Sequence, residues 1–578
     1  MGAYVKISAR TFLGVLTVSL LSGSLTFVST APASAEGDAP VLAKRYLDQK
    51  IAWGDCPGLN KTMAAMVPTP IRQKCGTFIA PKDYYHQDLG DIKVGITQVA
   101  RDDNLGPKRE LFINPGGPGG AGFPLPAATA VKQPQLLLDH DFVAVDPRGT
   151  GLGTRVDCDE NEADPSDGAK PSADSRDLSD AAIAKARADV KKWVAVCAAK
   201  HGDLLPYITT EQTVRDMDLG RALLGARTID YQGTSAGTWL GAQYQKFFPE
   251  RAGRFVLDSN AQFSDSWQAT FESQPMAMQR RLEKQFLPWV ARHDSKYHLG
   301  DTPEAVNKTY EAIRAAAGSG KLGRLTPDQL DVAVTESLYS SSSFAMLAGK
   351  LQQLDKAVQS GEPAGDSTVL SWIVDAVKKI FPENNPPVLS DTVFRTITCN
   401  DTAWRGDEDY WADFARKQVA DGNSLVGPGF AVQPCNYWPY RPVGLTPVTG
   451  RTAPGALMLQ NTLDPATAYE GAVVAHRNNP ATRMVTVINA GDHGVAGHNS
   501  CADAVVNRYL QQGVLPGNDV VCQGRPMPGE DSVYEVGPQL ADAQPAASGE
   551  RVTAAAQYVD AVLAAISTRS WSQIFPAG

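Results

Sequence analysis

The chain has 578 residues, of which 43% are hydrophobic and 20% charged, and its formal net charge is −9 at pH 7. This length exceeds what one hydrophobic core usually supports, so it predicts a large domain with an insertion or a second domain. The acidic balance disfavours binding to nucleic acid or to anionic lipid, and we expect neither partner.

The N-terminal stretch has the pattern of a secretory signal peptide. Lys6 and Arg10 precede an apolar run that finishes at Ala33-Ser34-Ala35, a small-x-small cleavage site. A transmembrane anchor is the alternative, but Ser and Gly interrupt the run and no basic stop-transfer segment follows. We therefore expect cleavage of residues 1–35 and a secreted, extracellular protein with no membrane association afterwards.

Eight cysteines follow the predicted cleavage site, and an even number in an exported chain indicates disulfides. Spacing alone leaves many connectivities open. No Cys-x-x-Cys occurs, so a zinc or redox site is not expected, and we predict no metal and no cofactor. The cysteines form four pairs of sequence neighbours: Cys56 with Cys75, Cys158 with Cys197, Cys399 with Cys435, and Cys501 with Cys522.

After a polar lead-in at 36–50, short β-branched runs alternate with helical patterns, which is typical of an α/β domain with a mostly parallel sheet. From 262 to 440 the chain is mainly helical, and Thr302-Pro303 and Thr326-Pro327 have the pattern of helix starts. The predicted strands are 92–100, 110–114, 141–146, 228–233, 254–259, 455–461 and 483–491. The predicted domains are an α/β core at 51–261 and 441–578 and a helical cap insertion at 262–440.

Residues 233–237 read Gly-Thr-Ser-Ala-Gly, between a predicted strand and an amphipathic helical pattern. Alone, this string also fits a packing turn in a Gly-rich chain. Its context is that of a nucleophile elbow, in which Gly233 and Gly237 leave room for a sharp turn with Ser235 at its apex. We predict that Ser235 is a nucleophile and that the backbone N–H of Ala236 is one oxyanion donor.

A Gly-rich turn, "INPGGPGGAG" at 113–122, follows another predicted strand. Such a turn lets backbone N–H groups face a developing negative charge, and we predict Gly117 as the second oxyanion donor. A phosphate-binding loop is the weaker alternative, because neither a Lys-Ser/Thr pair nor the Gly-x-Gly-x-x-Gly fingerprint with its acidic residue is present.

A serine nucleophile needs a base and a group that orients the base. His493 lies in a Gly-flanked loop beyond a predicted strand near the C-terminus, and it fits the order Ser, acid, His; His498 is its rival. Asp464 follows the predicted strand 455–461 and is our choice for the acid. Asp492 is adjacent to His493 and would point the wrong way, and Asp258 ends an earlier strand.

These motifs, together with "DFVAVDPRGTGLG", "NTLDPATAYEGA" and "AGDHGVAGHNSCADAVVNRYLQQGVLP", resemble the secreted tripeptidyl aminopeptidases of actinobacteria, in the prolyl-aminopeptidase-like branch of the α/β-hydrolases. The resemblance runs from about residue 45 to the end. It implies an α/β-hydrolase fold with a helical cap and a serine exopeptidase that releases tripeptides through an acyl-enzyme. It also implies that Ser235, Asp464 and His493 are its triad.

The same resemblance implies peptide or protein substrates with free N-termini, and members of the group often accept proline before the cleaved bond. The residue after the nucleophile is frequently aromatic in these enzymes, and here it is Ala236. Exopeptidase action needs a counter-charge for the substrate's ammonium group. The candidates, each of which also fits a solvated surface carboxylate, are Asp401, Asp407, Glu408 and Asp409.

Two alternatives remain from the sequence. A secreted carboxylesterase or lipase-like enzyme would use the same triad, since fold and triad do not fix the leaving group. A non-catalytic hydrolase-like binding protein is disfavoured because every catalytic part is present.

Overall fold

The computed structural model describes residues 40–102, 108–158, 174–323, 325–361, 391–450 and 455–537. The predicted signal peptide at 1–35 lies outside the described residues. Within the described ranges, none of the helices combines the length and the apolar character that crossing a bilayer requires.

The strands form one sheet in the order β1-β2-β3-β5-β4-β6-β7-β8-β9-β10. The strands from β5 to β10 in this order are parallel, while β1, β2 and β3 are joined by antiparallel pairing and β3 is antiparallel to β5. The strands are β1 (Ala52–Gly54), β2 (Ile71–Pro81), β3 (Asp91–Arg101), β4 (Arg109–Asn114), β5 (His140–Val145), β6 (Ile229–Thr234), β7 (Ala252–Asp258), β8 (Ala456–Asn461), β9 (Arg483–Ile488) and β10 (Val520–Gln523).

Helices lie on both faces of this sheet and in the segment between β7 and β8. They are α1 (Lys44–Leu47), α2 (Gly58–Ala64), α3 (Leu125–Lys132), α4 (Asp180–His201), α5 (Thr210–Leu223), α6 (Ala236–Phe247), α7 (Trp267–Glu272), α8 (Gln274–Arg281), α9 (Leu287–Arg292), α10 (Asp294–Tyr297), α11 (Pro303–Gly318), α12 (Pro327–Leu338), α13 (Phe344–Ser360), α14 (Asp391–Asp401), α15 (Glu408–Ala420), α16 (Tyr469–Asn478) and α17 (Ser500–Gln512).

Alternate residues of the central strands enter two separate cores. On β4, Phe112 belongs to a core with Trp239 of α6, whereas Leu111 and Ile113 belong to a core with Leu510 of α17. This is the alternation expected of a strand that is covered by helices on both faces. The fold is therefore α/β, with a mostly parallel sheet flanked by helices, as predicted.

The segment between β7 and β8 has a hydrophobic core of its own, to which α8 to α13 contribute residues such as Trp289 and Phe344. We call this segment, α7 to α15, the cap. Disulfides join the described cysteines as the four sequence-neighbouring pairs, a feature typical of proteins from oxidising compartments. The bonds are Cys56–Cys75, Cys158–Cys197, Cys399–Cys435 and Cys501–Cys522.

The predicted strands and helix starts are confirmed with small changes at their ends. The strands predicted to reach 259 and 491 end at Asp258 and Ile488, because Ser259 (φ 57°) and Asn489 (φ 59°) have left-handed backbone conformations. Thr326 forms a capping box with Gln329, with bonds of 2.9 and 3.2 Å. The sequence analysis missed β1, β2 and β10.

A buried ion pair holds the loop that follows β5. The guanidinium of Arg148 donates to both carboxylate oxygens of Asp216 on α5, each at 2.8 Å, and neither side chain is exposed. Arg148 also donates to the carbonyls of Lys82 and Tyr207, at 2.7 and 3.1 Å. The pair thus joins the β5 loop, α5 and the β2–β3 connection at one point.

Replacing Arg148→Met is expected to lower the free energy of unfolding by about 3–5 kcal/mol, because Asp216 would stay buried without its counter-charge. The double variant with Asp216→Asn should lose much less, since no unpaired charge remains. Urea unfolding of both variants measures the difference. A single variant within about 1 kcal/mol of the wild type would contradict this assignment.

Candidate active site

Ser235 lies on a strained turn between β6 and α6. Its backbone angles are φ 60° and ψ −128°, and α6 begins at the next residue, Ala236. A non-glycine residue with positive φ is uncommon, and such strain is characteristic of nucleophile elbows. The backbone N–H of Ser235 donates to the carbonyl of Asp258 at 2.9 Å, which fixes the turn against β7.

The Gly-rich loop after β4 packs directly on this turn. A Cβ on Gly116, whose φ is 89°, would lie 2.4 Å from the carbonyl oxygen of Thr234 and 2.7 Å from the nitrogen of Ala236. Only glycine permits this approach. The N–H of Gly116 donates to Asn114 Oδ1 at 2.9 Å.

The two predicted oxyanion donors lie on either side of this contact. Gly117 is the next residue of the Gly-rich loop. Ala236 is the first residue of α6, where backbone N–H groups have no intrahelical acceptor.

Asp464 and His493 form a buried hydrogen-bonded pair. His493 Nδ1 lies 3.0 and 3.1 Å from the two carboxylate oxygens of Asp464, and the two side chains are 2% and 0% exposed. The N–H groups of Ala466 and Thr467 donate to Asp464 Oδ1 at 2.9 Å. The carboxylate is therefore held in place from its own loop, and it orients the imidazole.

The loop that carries His493, residues 489–499, which we call the histidine loop, borders the residue that precedes Ser235. A methyl group on Gly494 would lie 4.0 Å from Thr234 Cγ2, and His493, Thr234 and Gln232 line one cavity at the carboxyl ends of β4, β6 and β7. His493 Nε2 is buried and has no hydrogen-bond partner among the described residues. Nδ1 of the ring is thus hydrogen-bonded to Asp464, and Nε2 is the nitrogen that could accept a proton.

The cap contacts this histidine, a feature that the sequence analysis missed. The carbonyl of Tyr339, which follows α12, accepts the backbone N–H of His493 at 2.8 Å. The two rings meet edge to face with centroids 5.2 Å apart. No local pattern around Tyr339 signals this contact, because its partner lies in the second part of the core.

The structure gives the rivals other partners. His498 Nε2 lies 2.7 Å from Lys132 Nζ. The carboxylate of Asp492 accepts from Arg281 at 2.6 Å and Arg525 at 2.9 Å, and also from the N–H of Ser341 at 2.8 Å. Burial alone would raise the pKa of Asp492, but the two guanidinium charges hold it well below its usual range. Asp492 therefore joins the histidine loop to the cap.

Asp401 is the first of the four predicted ammonium ligands, and the structure argues against it. Its carboxylate is fully buried and accepts from the N–H and hydroxyl of Thr210, at 2.8 and 2.6 Å, and from Trp267 Nε1 at 3.0 Å. Burial raises the pKa of Asp401 to about 6. These contacts anchor α14 to α5 and α7, and they leave the carboxylate enclosed by protein.

The other three candidates stabilise the start of α15. Asp407 caps this helix through its carboxylate. Glu408 pairs with Arg187 and Lys191 at 3.3 and 3.1 Å, and Asp409, whose side chain is 90% exposed, lies 3.4 Å from Arg187. None of the three is among the residues that line the cavity at His493.

The cap holds an apolar cleft beside the Gly-rich loop. We call it the aromatic cleft, and the Cys399–Cys435 disulfide forms part of its wall. A methyl group on Gly119 would lie 3.1 Å from the nitrogen of Phe394, so this wall touches the predicted oxyanion loop. Trp267 stacks on Trp239 of α6 with ring centroids 4.2 Å apart. The aromatic residues of the cleft are Phe271, Phe394, Trp404 and Phe430.

Comparisons with known proteins agree with this architecture. The family model of the alpha/beta hydrolase fold matches residues 111–324, and that of the TAP-like protein matches residues 423–522. Carboxylesterase B of Mycobacterium tuberculosis is 26% identical and is aligned over 88% of this chain and 97% of its own length. Serine protease Hip1 of the same organism is 25% identical, over 83% of this chain and 92% of its own.

Tripeptidyl aminopeptidase of Streptomyces coelicolor is 32% identical over 509 residues, which cover 84% of this chain and 88% of that protein. Tripeptidyl aminopeptidase of Streptomyces lividans matches to the same extent. These matches span both parts of the core and the cap. The chain therefore belongs to the tripeptidyl aminopeptidase family of α/β-hydrolases and is a serine peptidase of that family.

Proposed function

We propose that this protein is exported and releases tripeptides from the free N-termini of peptides and proteins, by acyl transfer through Ser235. The observation that carries the proposal is the hydrogen-bonded pair of Asp464 and His493, next to the strained turn that bears Ser235. The Streptomyces relatives, named tripeptidyl aminopeptidases, support the choice of substrate. The disulfides support export, since they persist in oxidising compartments.

In the proposed reaction His493 Nε2 takes the hydroxyl proton of Ser235 as Oγ bonds to the scissile carbonyl carbon. Asp464 stabilises the imidazolium that results. The N–H groups of Gly117 and Ala236 hold the oxyanion. His493 then gives the proton to the leaving nitrogen, the C–N bond breaks, and a tripeptidyl ester remains on Ser235. Water, deprotonated by His493, releases the tripeptide and restores the serine.

The aromatic cleft supports a preference for proline or another apolar residue before the cleaved bond. Part of its wall belongs to α14, and the backbone of Phe394 on this helix lies against Gly119 of the Gly-rich loop that carries the predicted oxyanion donor. Aromatic surfaces such as those of Phe394 and Trp404 suit the apolar pyrrolidine ring of proline.

We propose Glu272 as the counter-charge for the substrate's ammonium group, in place of the four carboxylates predicted from sequence. Glu272 directly follows Phe271 of the cleft and is half-buried; like the three candidates at the start of α15 it does not line the cavity at His493, and its place next to the cleft is what favours it. Its Oε1 accepts from Gln268 Nε2 at 2.7 Å and from the hydroxyl of Tyr410 at 3.0 Å. A carboxylate held in this way beside the cleft would pair with a charged N-terminus and exclude longer N-terminal segments.

The triad assignment predicts a large loss of activity for two variants. Ser235→Ala should lower kcat by at least about 10⁴-fold, and Asp464→Asn by about 10³- to 10⁴-fold through the wrong imidazole tautomer. Hydrolysis of a tripeptidyl p-nitroanilide, with circular dichroism to check folding, measures both. A Ser235→Ala protein with full activity would show that the nucleophile is elsewhere.

The ammonium assignment predicts a difference between free and blocked substrates. Glu272→Gln should raise KM about tenfold or more for a free tripeptidyl anilide and leave the slow turnover of its N-acetylated form unchanged. Glu283→Gln is the matched control, because Glu283 also accepts from a glutamine four residues earlier, at 2.9 Å, but is exposed.

An enzyme that treats the free and acetylated anilides alike and turns over p-nitrophenyl esters faster would be an esterase. The 26% identity to Carboxylesterase B makes this the relevant alternative.

The cleft predicts a selective effect of Trp404→Ala. The variant should lose about tenfold in kcat/KM for substrates with proline before the cleaved bond, because apolar contact area is lost. The same variant should differ little from the wild type when glycine occupies that position. Equal losses with both substrates would contradict the proposal that the cleft binds the substrate residue before the cleaved bond.

A further inference from the structure

The residue at the end of β7, Asp258, contacts both the serine turn and the histidine loop. Its carbonyl accepts the backbone N–H of Ser235 at 2.9 Å. Its carboxylate accepts the N–H of Val495 at 2.9 and 3.1 Å and that of Ala496 at 3.0 Å. One residue therefore ties together the two loops between which the proton must move.

Ser259 continues this clamp. Its hydroxyl accepts the N–H of Gly494 at 2.8 Å, so Asp258 and Ser259 together hold the backbone N–H groups of three successive residues after His493. Both side chains accept backbone N–H groups of the histidine loop, but only Asp258 carries a charge. Variants of the two residues can therefore distinguish the effect of holding the histidine loop in place from the effect of a negative charge near His493.

Asp258 is 2% exposed and lines the same cavity as His493. Burial raises the pKa of its carboxyl to about 6, against the N–H bonds from Ala496 and Val495 and the charge of His493. The other titratable groups that face this region come from α3, from the loop after β8 that carries Asp464, from the histidine loop and from α17. They are Lys132, Asp464, Asp492, His498 and Asp503.

We propose that Asp258 is a positioning residue for His493. It fixes the histidine loop relative to Ser235, and its buried negative charge stabilises the positive charge that the imidazole carries while it holds the serine proton. Asp464 remains the orienting acid, since it occupies His493 Nδ1. The inference rests on the acyl-transfer chemistry of the proposed function, and it is independent of the peptide that the enzyme prefers.

The test compares Asp258→Asn with Ser259→Ala. Asp258→Asn removes the charge and keeps the shape, whereas Ser259→Ala removes an uncharged contact with the same loop. The readout is the rate at which phenylmethylsulfonyl fluoride modifies the protein between pH 5 and 9. In that reaction Ser235 Oγ bonds to sulfur, the S–F bond breaks, and the serine proton leaves through His493 with the fluoride.

We expect Asp258→Asn to slow sulfonylation by about tenfold or more at pH 8 and to move the acid limb of the rate profile to lower pH by at least about half a unit. The direction follows because removal of a nearby negative charge makes the protonated imidazole less stable. Ser259→Ala should slow the reaction without moving the limb. An unmoved limb in Asp258→Asn, or equal movement in both variants, would overturn the proposal.

Wild-type protein that fails to react with the reagent would instead count against Ser235 as the nucleophile. Hydrogen exchange of the wild type covers the case in which Asp258→Asn does not fold. The protection of the Val495 and Ala496 amides should fall as Asp258 takes up a proton near pH 6, because a neutral carboxyl is a weaker acceptor. The Gly494 amide, bound to Ser259, should not change. Val495 and Ala496 amides without protection at pH 7 would overturn the proposal, because the carboxylate would then not hold the histidine loop.

Discussion

The parallel pairing of the central strands is the constraint on which the site depends. Thr234 pairs with Asp258 across β6 and β7, and Asp258 pairs with Leu459 of β8. Because parallel strands end at the same edge of a sheet, the loops that carry Ser235 and Asp464 emerge at one edge, with the end of β7 at Asp258 between them. The backbone hydrogen bonds between β6, β7 and β8 thus fix where these two loops begin relative to each other.

The cap also contacts the loop that carries His493. Asp492 binds Arg281 of α8, the N–H of Ser341 and Arg525, and the neighbouring His493 donates to the carbonyl of Tyr339. Opening of the cap at this point would have to break the bonds from Arg281, from the N–H of Ser341 and to the carbonyl of Tyr339. The histidine loop and the described part of the cap are therefore joined by hydrogen bonds at this point.

The parts of the site that need special local geometry could be predicted from sequence. Gly-Thr-Ser-Ala-Gly and the loop at 113–122 require glycine at close contacts, as the approach of Gly116 to Thr234 shows, and such requirements are visible in the residues themselves. Asp464 and His493 follow predicted strands in an order that the fold dictates. The α/β-hydrolase fold followed from the same alternation of strands and helices.

Features that depend on distant partners could not be predicted. Asp401 lies in an acidic stretch, and only its contacts with Thr210 and Trp267 show that it is an interior anchor. The strand Ile71–Pro81 has three successive polar or charged residues, Arg72, Gln73 and Lys74, in its first half, so it lacks the continuous apolar run of a central strand. Asp258 ended a predicted strand, but its hold on the histidine loop required the fold.

One disulfide, Cys399–Cys435, belongs to the cleft that we propose for substrate choice and lies apart from the candidate catalytic residues. Cys399 and Cys435 belong to the wall of the aromatic cleft, whereas Ser235, Asp464 and His493 are linked to their surroundings by hydrogen bonds and backbone pairing. Removal of this one disulfide would therefore alter the wall of the cleft and leave those hydrogen bonds in place, whereas Cys501–Cys522 fastens α17, which begins directly after the histidine loop. If the cleft has the role we propose for it, a protein without this bond would lose its selectivity before its activity.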